Sequence, residues 1–210
     1  MRVDMHVHSS ASFDCRVDPL EVLKRCTRLG LGPVFLTDHG TLAGARKLAE
    51  HGHQVVAGQE IATAEGDLIG LFLSRQVRQG LSMAATIDDV KSQGGLVYLQ
   101  HPYDRRRRAP REETIEKIAD SIDIVEVYNS RSDPDCNTRA GELRAALGAA
   151  AGAGSDAHRL NEIGRGHVVM EPFSGAADFL DKLRQATVVR DTSPVRLLVA
   201  TGLKGRITRR

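Results

Sequence analysis

Aromatic side chains are scarce in this sequence, 4% of 210 residues with no tryptophan. So thin a set argues against a surface that stacks one nucleic-acid base after another on aromatic rings. Cysteine is scarce too: Cys15, Cys26 and Cys136 are odd in number, widely spaced and form no CxxC pair. That argues against a disulfide framework or a cysteine-built zinc site and suits a reducing compartment. No segment offers the roughly 18 uninterrupted apolar residues of a membrane span, and the opening Met-Arg-Val-Asp lacks the apolar core of a signal peptide. A cytoplasmic protein with no membrane partner is therefore expected. Strong charge of one sign is also missing, and a net charge of +2 gives no compositional reason to expect nucleic-acid binding.

What is present is an ordinary globular composition, 41% hydrophobic in 22.8 kDa, enough for one buried core. We expect a single domain over residues 1–210, with a basic tail from about residue 196. After Asp191 every charged side chain is basic (Arg196, Lys204, Arg206, Arg209, Arg210), and "DRRRRAPR" adds a dense patch from Asp104 to Arg111. Such runs are ordinarily solvated surface.

Short apolar runs alternate with helical patterns along most of the chain, which is the signature of a parallel sheet or barrel. "RVDMHVH" leads into "DPLEVLKRCTRLG", where Asp18 can cap, Pro19 suits the first turn and Glu21 follows three after the cap. "GPVFLTDHG" and "TLAGARKLAEHG" read as the next strand and helix. "QVVAGQEIATAEGDLIGLFLS" reads as two strands joined at Glu65-Gly66-Asp67, and a helix around Thr86–Gln93 leads to "GLVYLQHP". "PREETIEKIADS", "IDIVEVYN", "RAGELRAALGAAA", "GAGSDAH", "HVVME" and "AADFLDKLRQA" continue the alternation. Roughly seven strand–helix units result; since an eight-fold barrel typically takes ~250 residues, a compact or incomplete barrel is expected.

The polar residues fall at the strand ends. His6 and His8 close the first strand, Asp38 and His39 the second, Glu60 the third; His101, Asn129, and Asp156 with His158 follow later ones. In a parallel barrel those ends share one face, so residues far apart in sequence meet there. Imidazoles and carboxylates gathered so are donors for zinc, manganese or iron. A strand places i and i+2 on one side, so His6 and His8 can reach a single ion. Taken singly, each residue has an ordinary reading as a cap, a turn residue or an ion-pair partner; their recurrence at one end of successive strands favours a metal site. His51 and His53 form a second HxH in "AEHGHQVV", between a helix end and a strand start, and belong to the opposite rim.

The blocks "HVHSSASFD", "LTDHGTLAG", "GQEIAT", "LQHP", "VEVYN" and "GSDAH" resemble, in order and spacing, the motifs of the PHP (polymerase and histidinol phosphatase) superfamily, from Arg2 to about His158. The resemblance implies an α/β fold, a distorted seven-fold β/α (TIM-like) barrel, and a phosphoesterase site with two or three divalent ions (Mn, Fe or Zn). Motif by motif it marks His6, His8, Asp14, His39, Glu60, His101, Asn129, Asp156 and His158 as ligands, with Glu60 bridging. Asp14 stands where many members have histidine and Asn129 where many have histidine or cysteine, and a neutral amide is a weak donor. A third ion is therefore expected to bind weakly.

The expected function is hydrolysis of a small phosphorylated substrate, a nucleotide or a phosphorylated nucleic-acid end, with His39 or His158 protonating the leaving oxygen. The rival readings are a histidinol-phosphatase-like monoesterase, an exonuclease on RNA or DNA ends, and a non-catalytic PHP scaffolding module. The run Arg105, Arg106, Arg107 and Arg108 starts just past His101, and guanidinium forks there are expected to hold substrate phosphate.

Overall fold

A computed structural model describes residues 1–191; the basic tail expected from about residue 196 lies outside the described residues. The central element is a curled, six-stranded mixed sheet in the order β2 (Val34–His39), β3 (Val55–Ala62), β4 (Asp67–Leu71), β5 (Leu96–Leu99), β6 (Ile124–Asn129), β7 (Ala150–Gly154). Helices α1 (Pro19–Arg28), α2 (Ala43–Glu50), α3 (Met83–Ser92), α4 (Glu112–Ile118) and α5 (Pro134–Leu147) occupy the connections. Three clusters of buried aliphatic and aromatic residues fill the space between helices and sheet. Among the described residues no helix is long and apolar enough to cross a membrane.

The local signals explain most elements. Asp18 accepts the Leu20 N–H at 2.8 Å and Pro19 opens α1, as expected of that pair. Gly66, at a φ of 152°, lies in the β3–β4 turn pressed against the segment between β5 and α4, where a Cβ would meet Pro110 backbone atoms at 2.7–2.8 Å. Helix α3 begins earlier than the sequence pattern suggests because the Ser82 hydroxyl accepts the Ala85 N–H at 3.2 Å. Helix α5 also starts early, at Pro134, and stops at the left-handed Gly148, so that Ala150 and Ala151 belong to β7.

Two features depart from a repeated β/α unit. β4 runs antiparallel to both neighbours, since a hairpin joins it to β3. The first strand is only Arg2–Val3 (β1), and it pairs antiparallel with β8 (Gly166–Val169), which pairs in turn with β9 (Thr187–Arg190) beyond helix α6 (Gly175–Leu183). The following residues, 4–8, lie between the two edge strands of the main sheet. Met5 N–H donates to the Ala153 carbonyl at 3.2 Å and His8 N–H to that of Ala157 at 3.0 Å, while Thr37 N–H donates to the Val7 carbonyl at 2.9 Å. His6 and His8 thus ride on an irregular segment stitched to both edges.

Candidate metal centre

The inner side of residues 4–8 faces the carboxyl ends of β2, β3, β5, β6 and β7. His6 Nε2 lies 3.1 Å from His8 Nε2, and each is 3.3 Å from Glu60 Oε2. Asp156 Oδ1 lies 3.6 Å from the first nitrogen and 3.4 Å from the second. Metal bonds of ~2.1 Å place adjacent tetrahedral ligands about 3.4 Å apart. Five of the six edges of such a polyhedron are therefore present.

The protons on the far side of each imidazole make the case stronger. His6 Nδ1 is 3.0 Å from Glu126 Oε1, an acceptor, so it carries the proton. His8 Nδ1 is 3.1 Å from the Ser12 hydroxyl, which itself donates to Asp38 Oδ1 at 2.9 Å, so His8 Nδ1 donates as well. Both Nε2 lone pairs then point at one another across 3.1 Å, an arrangement that a cation between them relieves. With only protons to serve as cations, burial would push both imidazoles down; Glu126 and Asp156 instead hold His6 well above its ordinary value, and Asp156 and Glu60 raise His8 to about 9. Burial would likewise raise Glu60 and Asp156, but the facing histidines keep both well below the carboxylate range.

Two further groupings adjoin this cage. His6, His101 and Asp156 can offer donor atoms within 4.8 Å of one another, as can His8, His39 and His158. Glu60 connects the centres: its Oε2 faces His6, His8 and, at 3.5 Å, His39 Nδ1, while its Oε1 faces His101 Nε2 at 3.5 Å. Asp14, half exposed at the rim, places Oδ2 at 3.1 Å from His158 Nε2 and 3.4 Å from His39 Nε2. Burial and the neighbouring histidines lower the His39 imidazole, opposed by Glu60 and Asp14. His101 and Asp156 both have positive φ, 30° and 53°. Such backbone costs ~1–3 kcal/mol and persists where surrounding structure over-determines it; here it turns two polar side chains inward just past β5 and β7.

Asn129 is buried at the end of β6, with its amide nitrogen 2.9 Å from Glu126 Oε2 and 3.4 Å from Asp156 Oδ2. Its oxygen accepts the Arg131 N–H at 2.9 Å, so the amide presents donors, not a lone pair, to the acidic groups. His51 and His53 are exposed beyond α2 at the opposite rim, as expected. Asp38 does not cap α2: it accepts from Ser9 N at 2.6 Å and from the hydroxyls of Ser9 and Ser12, which fixes the loop carrying Asp14.

The arginine run divides. Arg106, Arg107 and Arg108 line the cavity above the cage, about 690 Å³ in volume, whereas Arg105 lines a separate one with Pro102 and Arg111. Arg107 donates to Asp156 Oδ2 through Nε at 3.1 Å and Nη2 at 2.6 Å, and to Asp104 Oδ2 at 2.6 Å. Asp156 thereby keeps Oδ1 for the cage.

Three participants escape a sequence reading. Glu126, wholly buried in β6, accepts four donors: His6 Nδ1–H and Tyr98 O–H on Oε1, both at 3.0 Å, and His101 N–H and the Asn129 amide on Oε2, both at 2.9 Å. Ser12 positions His8 and also accepts the His39 N–H at 2.9 Å. Arg131 reaches His158 Nδ1 at 2.6 Å. A carboxylate inside an otherwise apolar strand is the one signal that could have disclosed Glu126.

Residues 4–105 match the PHP domain family and residues 134–188 the PHP-associated family. An uncharacterized protein of Methanocaldococcus jannaschii is 35% identical over 174 residues, 80% of this chain and 70% of that protein. Among solved structures, a two-domain protein of Bacteroides vulgatus containing a predicted PHP-like metal-dependent phosphoesterase superposes with a TM-score of 0.73 at 21% identity, over 90% of this chain and 64% of that one. This chain therefore spans less than two thirds of that protein. The lesion-specific endonuclease of Pyrococcus furiosus superposes with a TM-score of 0.68 at 13% identity, over 90% of this chain and 58% of that one. At such identities both likenesses establish the fold alone.

Proposed function

The chain belongs to the PHP superfamily, and from that premise we propose that it is a metal-dependent phosphoesterase hydrolysing small phosphate esters, nucleotides or phosphorylated nucleic-acid ends. The observation that carries this reading is the near-tetrahedral cage of His6, His8, Glu60 and Asp156 with both Nε2 lone pairs turned inward. The segment 4–8, counted with the six sheet strands, supplies the seventh stave of the barrel in this reading.

Divalent ions held by these donors would bring a bound water to near-neutral pKa and neutralise phosphate oxygens. The chain's own residues set up that chemistry. Glu126 and Ser12 fix the tautomers of His6 and His8, Glu60 spans adjoining clusters, and Asp14, His39 and His158 form the rim where a third ion would bind. His39 and His158 are 23% and 15% exposed in their side chains, open enough to hand a proton to a leaving oxygen above the cage.

Phe13 favours a nucleotide over other small esters. It is 87% exposed, lines the cavity and lies 5.0 Å from the His39 ring, an unused aromatic face beside the reacting position. One such face suits a single base better than a continuous strand. Metal analysis of protein purified without chelator, followed by a panel of phosphomonoesters and phosphodiesters with manganese, iron or zinc, tests the proposal. Turnover of nucleotides by metal-loaded protein is expected; a fully loaded protein that hydrolyses no ester would leave the scaffolding reading in its place.

A further inference from the structure

Glu60 turns its two oxygens to different groupings, Oε2 to His6, His8 and His39 and Oε1 to His101. A carboxylate can give a cation one oxygen or both, so Glu60 spans two groupings only if Oε1 is held away from the cage. His101 is poorly placed to hold it. The ring stands 3.5 Å from Oε1, and its far nitrogen, Nδ1, is buried with no hydrogen-bond partner among the described residues. A ligating histidine ordinarily has a partner behind it that fixes the ring, and His101 lacks one.

Gln100 supplies the hold. It continues the line of β5, where Tyr98 sends its hydroxyl inward to Glu126, and the period of two puts Gln100 on the same inner face. The residue is wholly buried, and its Nε2 donates to Glu60 Oε1 at 3.2 Å. Its own Oε1 is buried too and has no partner among the described residues. The amide is fixed one way round, since a half-turn would set two acceptor oxygens face to face across the same gap. An unpaired buried acceptor weakens a fold, and a methionine would fill the same space without one. The N–H is therefore the part of Gln100 that has a use, and it is directed at the one oxygen of Glu60 that looks away from the cage.

We propose that Gln100 is the positioning residue that makes Glu60 a bridge and not a chelating ligand: its N–H occupies one lone-pair direction of Oε1 and pins that oxygen on the His101 side. This rests on the reading of the centre as that of a metal-dependent phosphoesterase. Without the pin, Oε1 is free to turn toward the cage, and the His6–His101–Asp156 grouping loses its link to the His6–His8–Glu60 one. Gln100 thereby governs the second ion and leaves the first as it was.

The test is a manganese titration of the full chain followed by electron paramagnetic resonance, in the wild type and in Gln100→Met, which keeps the length of the side chain and removes the N–H. The wild type should bind two ions with the spectrum of a pair coupled through a shared ligand. In Gln100→Met the first ion should bind within roughly threefold of wild type and the second roughly tenfold or more weakly, the effect of losing a partner behind a ligand, and the coupled spectrum should disappear. Its unfolding midpoint in chelator should not fall, because the unpaired acceptor leaves together with the N–H. A coupled pair in Gln100→Met like that of the wild type would overturn the proposal. So would equal weakening of both ions with a lowered midpoint, which is what a purely structural role predicts. Should Gln100→Met not fold, the zinc-loaded wild type decides by NMR: one Gln100 amide proton shifted downfield by the carboxylate supports the pin, and two amide protons at the positions of a free glutamine overturn it. Two coupled ions in a wild type that hydrolyses no ester would leave the role of Gln100 standing and remove the phosphoesterase reading.

Discussion

Replacing Glu126 by glutamine keeps the shape of the side chain and exchanges one of its two accepting oxygens for an NH2 group. Four donors converge on that carboxylate, and they differ in how well they tolerate the exchange. The His101 N–H and the Asn129 amide, on Oε2, cannot become acceptors in place. Turning the new NH2 toward them leaves two buried donors unsatisfied, at ~1–3 kcal/mol each. Turning it toward Oε1 is cheaper, because the Tyr98 hydroxyl can rotate to accept and His6 can move its proton from Nδ1 to Nε2. That second arrangement aims an N–H into the cage where a lone pair stood. At a pH above the raised titration of His6, where its ring is neutral, Glu126→Gln should therefore cost the metal-free protein only about 1 kcal/mol, the net worth of one hydrogen bond, yet weaken metal binding by ~10–100-fold, the usual effect of losing a partner behind a ligating histidine. Denaturant unfolding in chelator, metal competition titration, and nitrogen NMR of the His6 ring measure the three parts separately. Metal affinity equal to wild type, or a His6 ring still protonated at Nδ1, would refute the reasoning.

His8→Ala and Glu60→Ala should each abolish hydrolysis and lower bound metal with the fold retained, whereas His53→Ala, on the opposite rim, should keep both; near-normal turnover with full metal in either of the first two would sink the site assignment. Gly154→Ala would place a Cβ 2.2 Å from the His6 Cβ and 2.8 Å from Glu126 Oε1, so metal affinity should fall by at least tenfold with His6 untouched in sequence, as titration would show. Arg107→Met removes the cation from two buried carboxylates, Asp104 and Asp156. Unfolding in chelator should show a loss of about 3 kcal/mol, the low end for a broken buried pair, because Arg106 and Ser132 still hold Asp104. Added metal should recover part of that loss through Asp156.

Much of the centre was legible because its residues are of a type that strands seldom end on by accident. The histidines and carboxylates from His6 to His158 stand just past apolar runs, and alternation places them on one rim. The rest was hidden for particular reasons. Period-two alternation puts Glu126 and Asn129 on opposite faces of β6, but the register shifts between Glu126 and Tyr128 and brings both side chains inward. The first strand reads as regular, yet Asp4 accepts the N–H groups of Ser155 and Gly164, and these long-range contacts hold residues 4–8 in an irregular path. Nothing local could say that Arg106, Arg107 and Arg108 would find carboxylates, since the partners come from distant loops.

The stitching of residues 4–8 into both edges of the sheet also sets a timetable. Asp4 and Ser155 are 151 positions apart, and contacts of that separation form late, after the entropy of closing the intervening chain has been met. During synthesis the histidines at positions 6 and 8 emerge well before Asp156, and all four donors must leave the ribosome before they can converge. A nascent chain has no cage in which to hold an ion, and one arrested before Asp156 never acquires it. Once closure occurs, an ion that binds only the closed form would stabilise it by about 2.7 kcal/mol at a hundred times its dissociation constant, so loading would act as a latch on the last step of folding.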